Sequence, residues 1–407
     1  MSFCTLEEEK TCAPTTGMGS LGCHISMCFQ GPSGCLGNSH IDEGAVDLTS
    51  HMDELNDKLS NLAKKRSNEV DTFLRENNAL DEGVSKILLL GGPSSGKSTV
   101  FKQMQIIHND GFKKPQQLEY FKDIINYNIY EIFQQLIVGA TNLEIDLSVH
   151  EKLIEAIDNG FKSCRYISTL TFRIDPILGG FLTQFWQTKE IRSLYDQRYR
   201  IELHDSAKYY LENLDRISNE NYNPNEEDIV HTRLATYTIT HTTFEYNGLK
   251  LKLVDVGGQK SQRRKWIHLF DDARVILFVV DLTGYAKKTD AVKENHDLHL
   301  ARRIFREVTT NKMLKKAVIL LFLNKVDLFT ELLQAVPFSS VVKEFSGKNT
   351  VQETTQYIQE KFVHAARPRK SVFPHTTTAI NTENIKHVFR ACMESVFKAN
   401  SRATGLA

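Results

Sequence analysis

The sequence has little that would carry it into a membrane. Its longest apolar runs, Val275–Val280 and Ala317–Leu323, fall far short of the roughly 18 residues that a spanning helix needs, and so predict buried strands. The first 35 residues hold no continuous apolar stretch, which predicts no secretory signal. No charge of one sign prevails, since 50 Lys and Arg offset 50 Asp and Glu among 407 residues. That balance offers no electrostatic footprint for nucleic acid. Cysteine is scarce past the N-terminus. Of seven in all, Cys4, Cys12, Cys23, Cys28 and Cys35 crowd the start and leave only Cys164 and Cys392. There is no CxxC and no histidine pairing at zinc spacing, and a reduced cytosolic compartment fits. The clustered thiols read equally as palmitoylation candidates or as incidental residues of an unstructured tail.

Residues 1–49 are rich in Gly, Ser, Thr and Cys without periodicity, which predicts a disordered tail. Over 50–83 the apolar residues Met52, Leu55, Leu59 and Leu62 recur at spacings of three and four among charges, which predicts a long helix with one apolar stripe. Lys86–Leu90 reads as a buried strand that opens a first α/β segment, 84–112. From 113 to 228 strands are scarce and helical spacing dominates, as in Ile124, Ile125, Ile129, Ile132, Phe133 and Leu136, so an inserted all-helical block is expected. Strand character returns over 229–407. Thr242–Tyr246 and Leu249–Val254 flank Asn247-Gly248, a two-residue hairpin signal. Further strands are expected at Val275–Asp281, Ala317–Leu323 and Ser371–Phe373, with a last helix capped by Thr382. Strands alternating with helices predict a doubly wound α/β fold.

Three motifs carry chemistry. Gly91-x4-Gly96-Lys97-Ser98, between a predicted strand and a predicted helix, is a P-loop. Backbone N–H groups over residues 91–99, including those of Ser94, Ser95 and Thr99, would cradle a polyphosphate. Lys97 would reach its β and γ phosphates, and the Ser98 hydroxyl would ligate Mg²⁺. Alone, this motif does not choose ATP over GTP. Asn324-Lys325-Val326-Asp327 follows a predicted strand at the carboxyl end, where α/β sheets bind ligands. The Asp327 carboxylate can accept two hydrogen bonds from guanine N1–H and the 2-amino group. Adenine has no such pair of donors, so the motif favours GTP over ATP and disfavours a kinase reading. Asp255-Val256-Gly257-Gly258-Gln259 ends the second hairpin strand. Asp255 would hold Mg²⁺ through water, Gly258 would let a backbone N–H approach the γ-phosphate, and Gln259 would orient the attacking water.

The run Asp255-Val-Gly-Gly-Gln-Lys-Ser-Gln-Arg-Arg-Lys-Trp-Ile-His268 resembles the second switch of heterotrimeric G-protein α subunits. Asp228-Ile-Val-His-Thr-Arg-Leu-Ala-Thr236 is similar to that family's first switch. Asp205-Ser206, opening a segment through Ile217, is similar to its helical-domain segment beside the nucleotide. Thr377-Thr-Ala-Ile380 resembles the loop over the base, where Ala379 N–H would meet the guanine oxygen. The resemblance covers about residues 50–407. It implies a Ras-like GTPase domain with an inserted helical domain, GTP/GDP and Mg²⁺ as ligands, and GTP hydrolysis. It further implies nucleotide contacts along Val230, His231, Thr232, Arg233, Leu234, Ala235 and Thr236. Thr236 would join Ser98 on Mg²⁺, and Arg233 would act with Gln259 in catalysis. The implied partners are a βγ dimer, docked by the 50–83 helix and the second switch, a seven-helix receptor and an effector. The implied location is the cytoplasmic face of the plasma membrane, held peripherally, or the cytosol without lipidation.

The chain also departs from the family. Its P-loop has Pro93 for a glycine and Ser94 for a glutamate, which leaves nucleotide binding expected and hydrolysis slowed. Tyr237-Thr238 stands where the family has Thr-Gly, and Tyr285-Ala-Lys-Lys-Thr-Asp290 puts lysines where its third switch is acidic, so Arg263 is expected to lack its usual partner. Met1-Ser2 presents no acceptor glycine for myristoylation, although Gly19 would if translation began at Met18. These changes keep a rival reading open, a GTP-binding scaffold with little turnover.

Overall fold

The computed structural model describes residues 84–165, 173–287, 296–368 and 372–404. The expected tail at 1–49, the expected helix at 50–83 and the lysine stretch past Lys287 lie outside the described residues. Six strands form one sheet: β1 (Ser85–Gly91), β2 (Thr240–Tyr246), β3 (Leu249–Asp255), β4 (Ala273–Asp281), β5 (Val318–Asn324) and β6 (Val372–Thr377), in the order β2-β3-β1-β4-β5-β6. Only β2 runs antiparallel to its neighbour. The sheet is the doubly wound core that the strand–helix alternation predicts.

Position in the sheet explains each strand's composition. β1 lies between β3 and β4 and is covered on both faces, so Ile87–Leu90 is apolar at every position and fully buried. β2 is an edge, and there Thr242 and Phe244 are buried while Tyr246 on the same face packs partly against the core. Asn247 and Gly248, with φ of 50° and 77°, make the hairpin turn whose twist matches that of the flanking strands.

The longer helices are α1 (Lys97–His108), α2 (Pro115–Asn142), α3 (Glu151–Arg165), α4 (Pro176–Gln187), α5 (Lys189–Asp196), α6 (Ala207–Glu212), α7 (Glu226–His231), α8 (Asp297–Thr310), α9 (Val326–Ala335), α10 (Val351–Ala365) and α11 (Thr382–Thr404). Separate apolar clusters result. On one face of the sheet, Val100 and Met104 of α1 and Ile385, Phe389 and Cys392 of α11 cover Leu89, Leu277 and Leu320. On the other, Phe305 of α8 meets Phe278 with ring centroids 4.9 Å apart. The second core belongs to the helices from α2 to α6. Ile125, Ile129, Ile132, Phe133 and Leu136 of α2 pack on Phe161, Phe185, Trp186 and Tyr210.

Local signals set the helix ends. Asp175 accepts from Leu178 N at 2.7 Å ahead of Pro176, so α4 starts with both a cap and a pre-set φ. Asn225 and Asp228 exchange bonds of 2.8 and 3.0 Å in a capping box at α7. Thr382 does not cap α11 as expected. Its hydroxyl bonds Gln103 at 3.0 Å, and Asn381 caps instead by accepting from Asn384 N at 2.9 Å. A cap is chosen by which side chain can fold back on the first turn, and the Thr382 hydroxyl is committed to α1. The last strand also runs further than expected, from Val372 to Thr377, because pairing with β5 continues to Asn324.

Phe133 is 2% exposed and touches Phe161 and Phe185. Phe133→Ala is expected to cost about 3–5 kcal/mol, read as a lower denaturant midpoint at unchanged slope.

Candidate functional site

The P-loop is shaped by places where a side chain cannot fit. Gly96 precedes α1 with φ 96°, and a Cβ there would collide with the Asn324 amide. A Cβ on Gly258 would strike Lys97 Nζ and the carbonyls of Gly91 and Gly92. The second switch therefore runs against the P-loop with only backbone between them. Lys97 is buried at the first position of α1 and donates to Gly92 O at 2.6 Å. Burial lowers its ammonium to about 8, against the opposing pull of Asp255.

Ser98 joins three segments. Its hydroxyl donates to Asp255 Oδ2 at 2.8 Å and lies 2.8 Å from Thr236 Oγ1. Its single proton goes to the carboxylate, so Thr236 is the donor in the second bond. Asp255 is 2% exposed, its Oδ1 has no partner, and burial raises its carboxyl above the usual range. An orphaned carboxylate oxygen beside two hydroxyls is a hard, all-oxygen donor set. It fits Mg²⁺ bound through few protein ligands and several waters.

At the other end of the cleft Asn324 is a joint between loops. It donates to Ser95 O at 2.9 Å and accepts from Ala379 N at 3.0 Å and Thr377 Oγ1 at 3.1 Å. Lys325, in the left-handed region with φ 64°, donates to Asp205 Oδ2 at 2.6 Å and Asp281 Oδ2 at 2.7 Å. Lys287 lies 3.2 Å from Asp281 and 3.5 Å from Asp205. Burial opposes ionisation of Asp205, yet Lys325 and Lys287 hold its carboxyl well below the usual carboxylate range. Asp327 opens α9 beside this cluster, and burial raises its carboxyl.

These groups line one cleft with a cavity volume of about 220 Å³. Of the residues named from the sequence, residues 94–99, Asp205, Ser206, residues 230–236, Gly258, Gln259, Asn324, Lys325, Asp327 and Ala379 line it. Gly91, Asp255, Val256, Gly257 and Val326 stand behind the lining. Pro93, His204, Leu328 and Ile380 line it without having been named as contacts. Arg233 is exposed and donates to Ser94 Oγ at 3.3 Å, so a neutral hydroxyl stands where the family has a carboxylate. Among the described residues, Arg263 Nε is buried with no hydrogen-bond partner. Sequence reasoning missed Asn128, Lys102 and Asp281, which hold the lining from behind. Asn128 is, with Asn126, a buried polar residue on a largely apolar helix face, and that is the one signal that could have found it.

Two histidines border the cleft. His204 accepts from Ser206 N at 3.0 Å, and burial holds its imidazole down to about 3. His231 stacks on Tyr209 at 3.9 Å, and burial holds it down to about 4. Both stay neutral in the folded chain, whereas the unfolded chain protonates them near 6.5. The stability this supplies is full above 6.5 and is lost as pH falls toward 4. The loss is on the order of 2 kcal/mol per histidine by pH 5. Denaturant midpoints are expected to drop between pH 7 and pH 5, and to drop less in His204→Asn/His231→Gln.

Comparison with known proteins gives a consistent result. The model of the family described as "G-protein alpha subunit" matches residues 64–396. A Caenorhabditis briggsae protein named guanine nucleotide-binding protein alpha-14 subunit is 48% identical over 395 residues, covering 93% of this chain and 96% of its own. The Caenorhabditis elegans protein of the same name is 48% identical over 398 residues, with the same coverage. The Caenorhabditis elegans alpha-6 subunit is 35% identical over 350 residues, covering 85% of this chain and 94% of its own. With the P-loop, both switch segments and the Asn324–Asp327 motif gathered on one cleft, the chain belongs to the G-protein α-subunit family.

Proposed function

We propose that the chain is a Mg²⁺-dependent GTPase switch, with GTP in the cleft, its triphosphate on the P-loop and its base against Asp327. The observation that carries this reading is the bonding of Ser98 to both Thr236 and Asp255, which links the P-loop to the first and second switches. Ser98 and Thr236 would hold the cation, with Asp255 behind a water. When bound, Mg²⁺ neutralises charge on the β and γ phosphate oxygens. Lys97 carries positive charge toward the same oxygens. Gln259 orients a water for attack on the γ-phosphorus. The bond to the bridging oxygen breaks, GDP leaves with that electron pair, and inorganic phosphate forms. Arg233 stabilises the charge that develops, a role credited in switch GTPases as a class with about 10³–10⁵ in rate. Loss of the γ-phosphate frees Thr236 and Gly258, and the switches relax.

The partners proposed from family membership are a βγ dimer, a seven-helix receptor and an effector. Leu234, Tyr237 and Ile267, on the two switches, are large apolar side chains left exposed, which suits a surface that exchanges partners with nucleotide state. A peripheral membrane location is proposed on the same ground. Among the described residues no helix is long and apolar enough to cross a membrane.

A second reading, a GTP-binding scaffold with little turnover, is favoured by Pro93 in the cleft wall and by the 3.3 Å contact that Arg233 makes with a neutral hydroxyl. Single-turnover GTP hydrolysis separates the two. Arg233→Ala and Gln259→Leu are each expected to slow the parent roughly 100-fold or more, and Pro93→Gly to speed it. A parent no faster than these variants would leave the scaffold. Base selection has its own test. Asp327→Asn is expected to weaken GTP binding roughly 100-fold or more and to favour xanthosine triphosphate, whose C2 carbonyl can accept from the new amide.

A further inference from the structure

We propose that Asn128, on the long helix α2, is a positioning residue that sets the depth at which Arg233 enters the cleft. This rests on the reading above, in which the Arg233 guanidinium meets the transferring phosphoryl group. The Asn128 side chain spans the gap between the helical layer and the first switch. Its Oδ1 accepts from Arg233 N at 2.9 Å and its Nδ2 donates to Arg233 O at 2.8 Å. The arginine's own peptide groups are thus gripped from both sides by one planar amide.

Chemistry narrows what could do this. A carboxamide presents one acceptor and one donor group in a single plane, which matches a backbone N–H and C=O together. A carboxylate would repel the carbonyl, and an aliphatic side chain would leave both backbone groups unmet. Asn128 is fully buried in a stripe otherwise made of Ile124, Ile125, Ile129 and Ile132. A buried amide in such a place is costly unless its bonds are made, and these two bonds are made to Arg233 alone.

The neighbouring residue is held from the opposite direction. Lys102 of α1 donates to Thr232 O and Thr232 Oγ1, both at 2.6 Å, and to Ile229 O at 3.1 Å. Residue 232 is therefore tied to the sheet layer and residue 233 to the helical layer. The Arg233 side chain itself is exposed, and among the described residues its tip makes the 3.3 Å contact to Ser94. Its aim comes from the backbone end. A displacement of about 1 Å at a reacting centre can cost on the order of 100-fold in rate, so loosening that anchor should appear in turnover and not in nucleotide affinity.

The experiment compares the full chain with Asn128→Ala, Asn128→Ser, Arg233→Ala and the Asn128→Ala/Arg233→Ala double variant. GTP affinity and single-turnover hydrolysis are measured for each. Each Asn128 variant is expected to bind GTP as the parent does and to hydrolyse it roughly 10- to 100-fold more slowly. The double variant should be no slower than Arg233→Ala, because two residues acting through one group are not additive. Losses that multiply in the double variant would overturn the inference, as would failure of both Asn128 variants to bind GTP, which would make the residue structural. A hydrolysis rate that depends on Arg233 but ignores Asn128→Ala would sink this inference alone. A rate insensitive to Arg233→Ala would overturn the turnover reading and this inference with it.

Discussion

The Asn324 carboxamide lies where two segments far apart in the chain come within one hydrogen-bond length of a single side chain. It holds the P-loop through Ser95 O and the base-side loop through Thr377 and Ala379 N, and it is nearly inaccessible to water. In such a place an unmade bond costs about 1–3 kcal/mol, so the three partners are fixed relative to one another. Gly96 follows as a consequence, because the amide occupies the space a Cβ would need. The phosphate end and the base end of the cleft thus share one rigid frame at the carboxyl ends of β1 and β5.

The helical layer is attached differently. The helical cluster and the sheet cluster are separate, a small apolar cluster of Phe112, Phe121, Ile124 and Ile229 packs against Ile106 of α1 between them, and polar and charged bonds are prominent where the layers meet. Lys325 and Lys287 hold Asp205, Asn128 holds Arg233, Lys102 holds Thr232, and Arg198 meets Glu331 at 2.6 Å. Polar contacts between layers resist separation less than a shared core does.

The departures from the family gather at the P-loop and the Arg233 side of the cleft. Pro93 and Ser94 change the lip of the P-loop, and Ser94 takes a φ of 53° that few side chains adopt readily. Among the described residues the Arg233 guanidinium meets the neutral Ser94 hydroxyl and no carboxylate. At the opposite end Asp281 and Lys287 extend the cluster around Lys325. The Lys325 end of the cleft is thereby more heavily tied by charge than the Ser94 end.

Much of this was legible in the residues alone. The doubly wound sheet follows from apolar runs such as Ile87–Leu90, because a strand covered on both faces has no polar side to display. The P-loop, Asn324–Asp327 and Asp255–Gln259 are contiguous patterns whose chemistry follows from side-chain type and position after a strand. Thr382 misled, since a good capping residue says nothing about a competing partner on α1. Asn128, Lys102 and Asp281 were invisible for a related reason. Each acts on the lining through a residue more than 40 positions away, and no local periodicity or motif records such a pairing. Sequence determined which groups could meet phosphate, metal and base. Tertiary packing alone decided how each is held, because a hydrogen bond between distant residues exists only once the chain has folded around it.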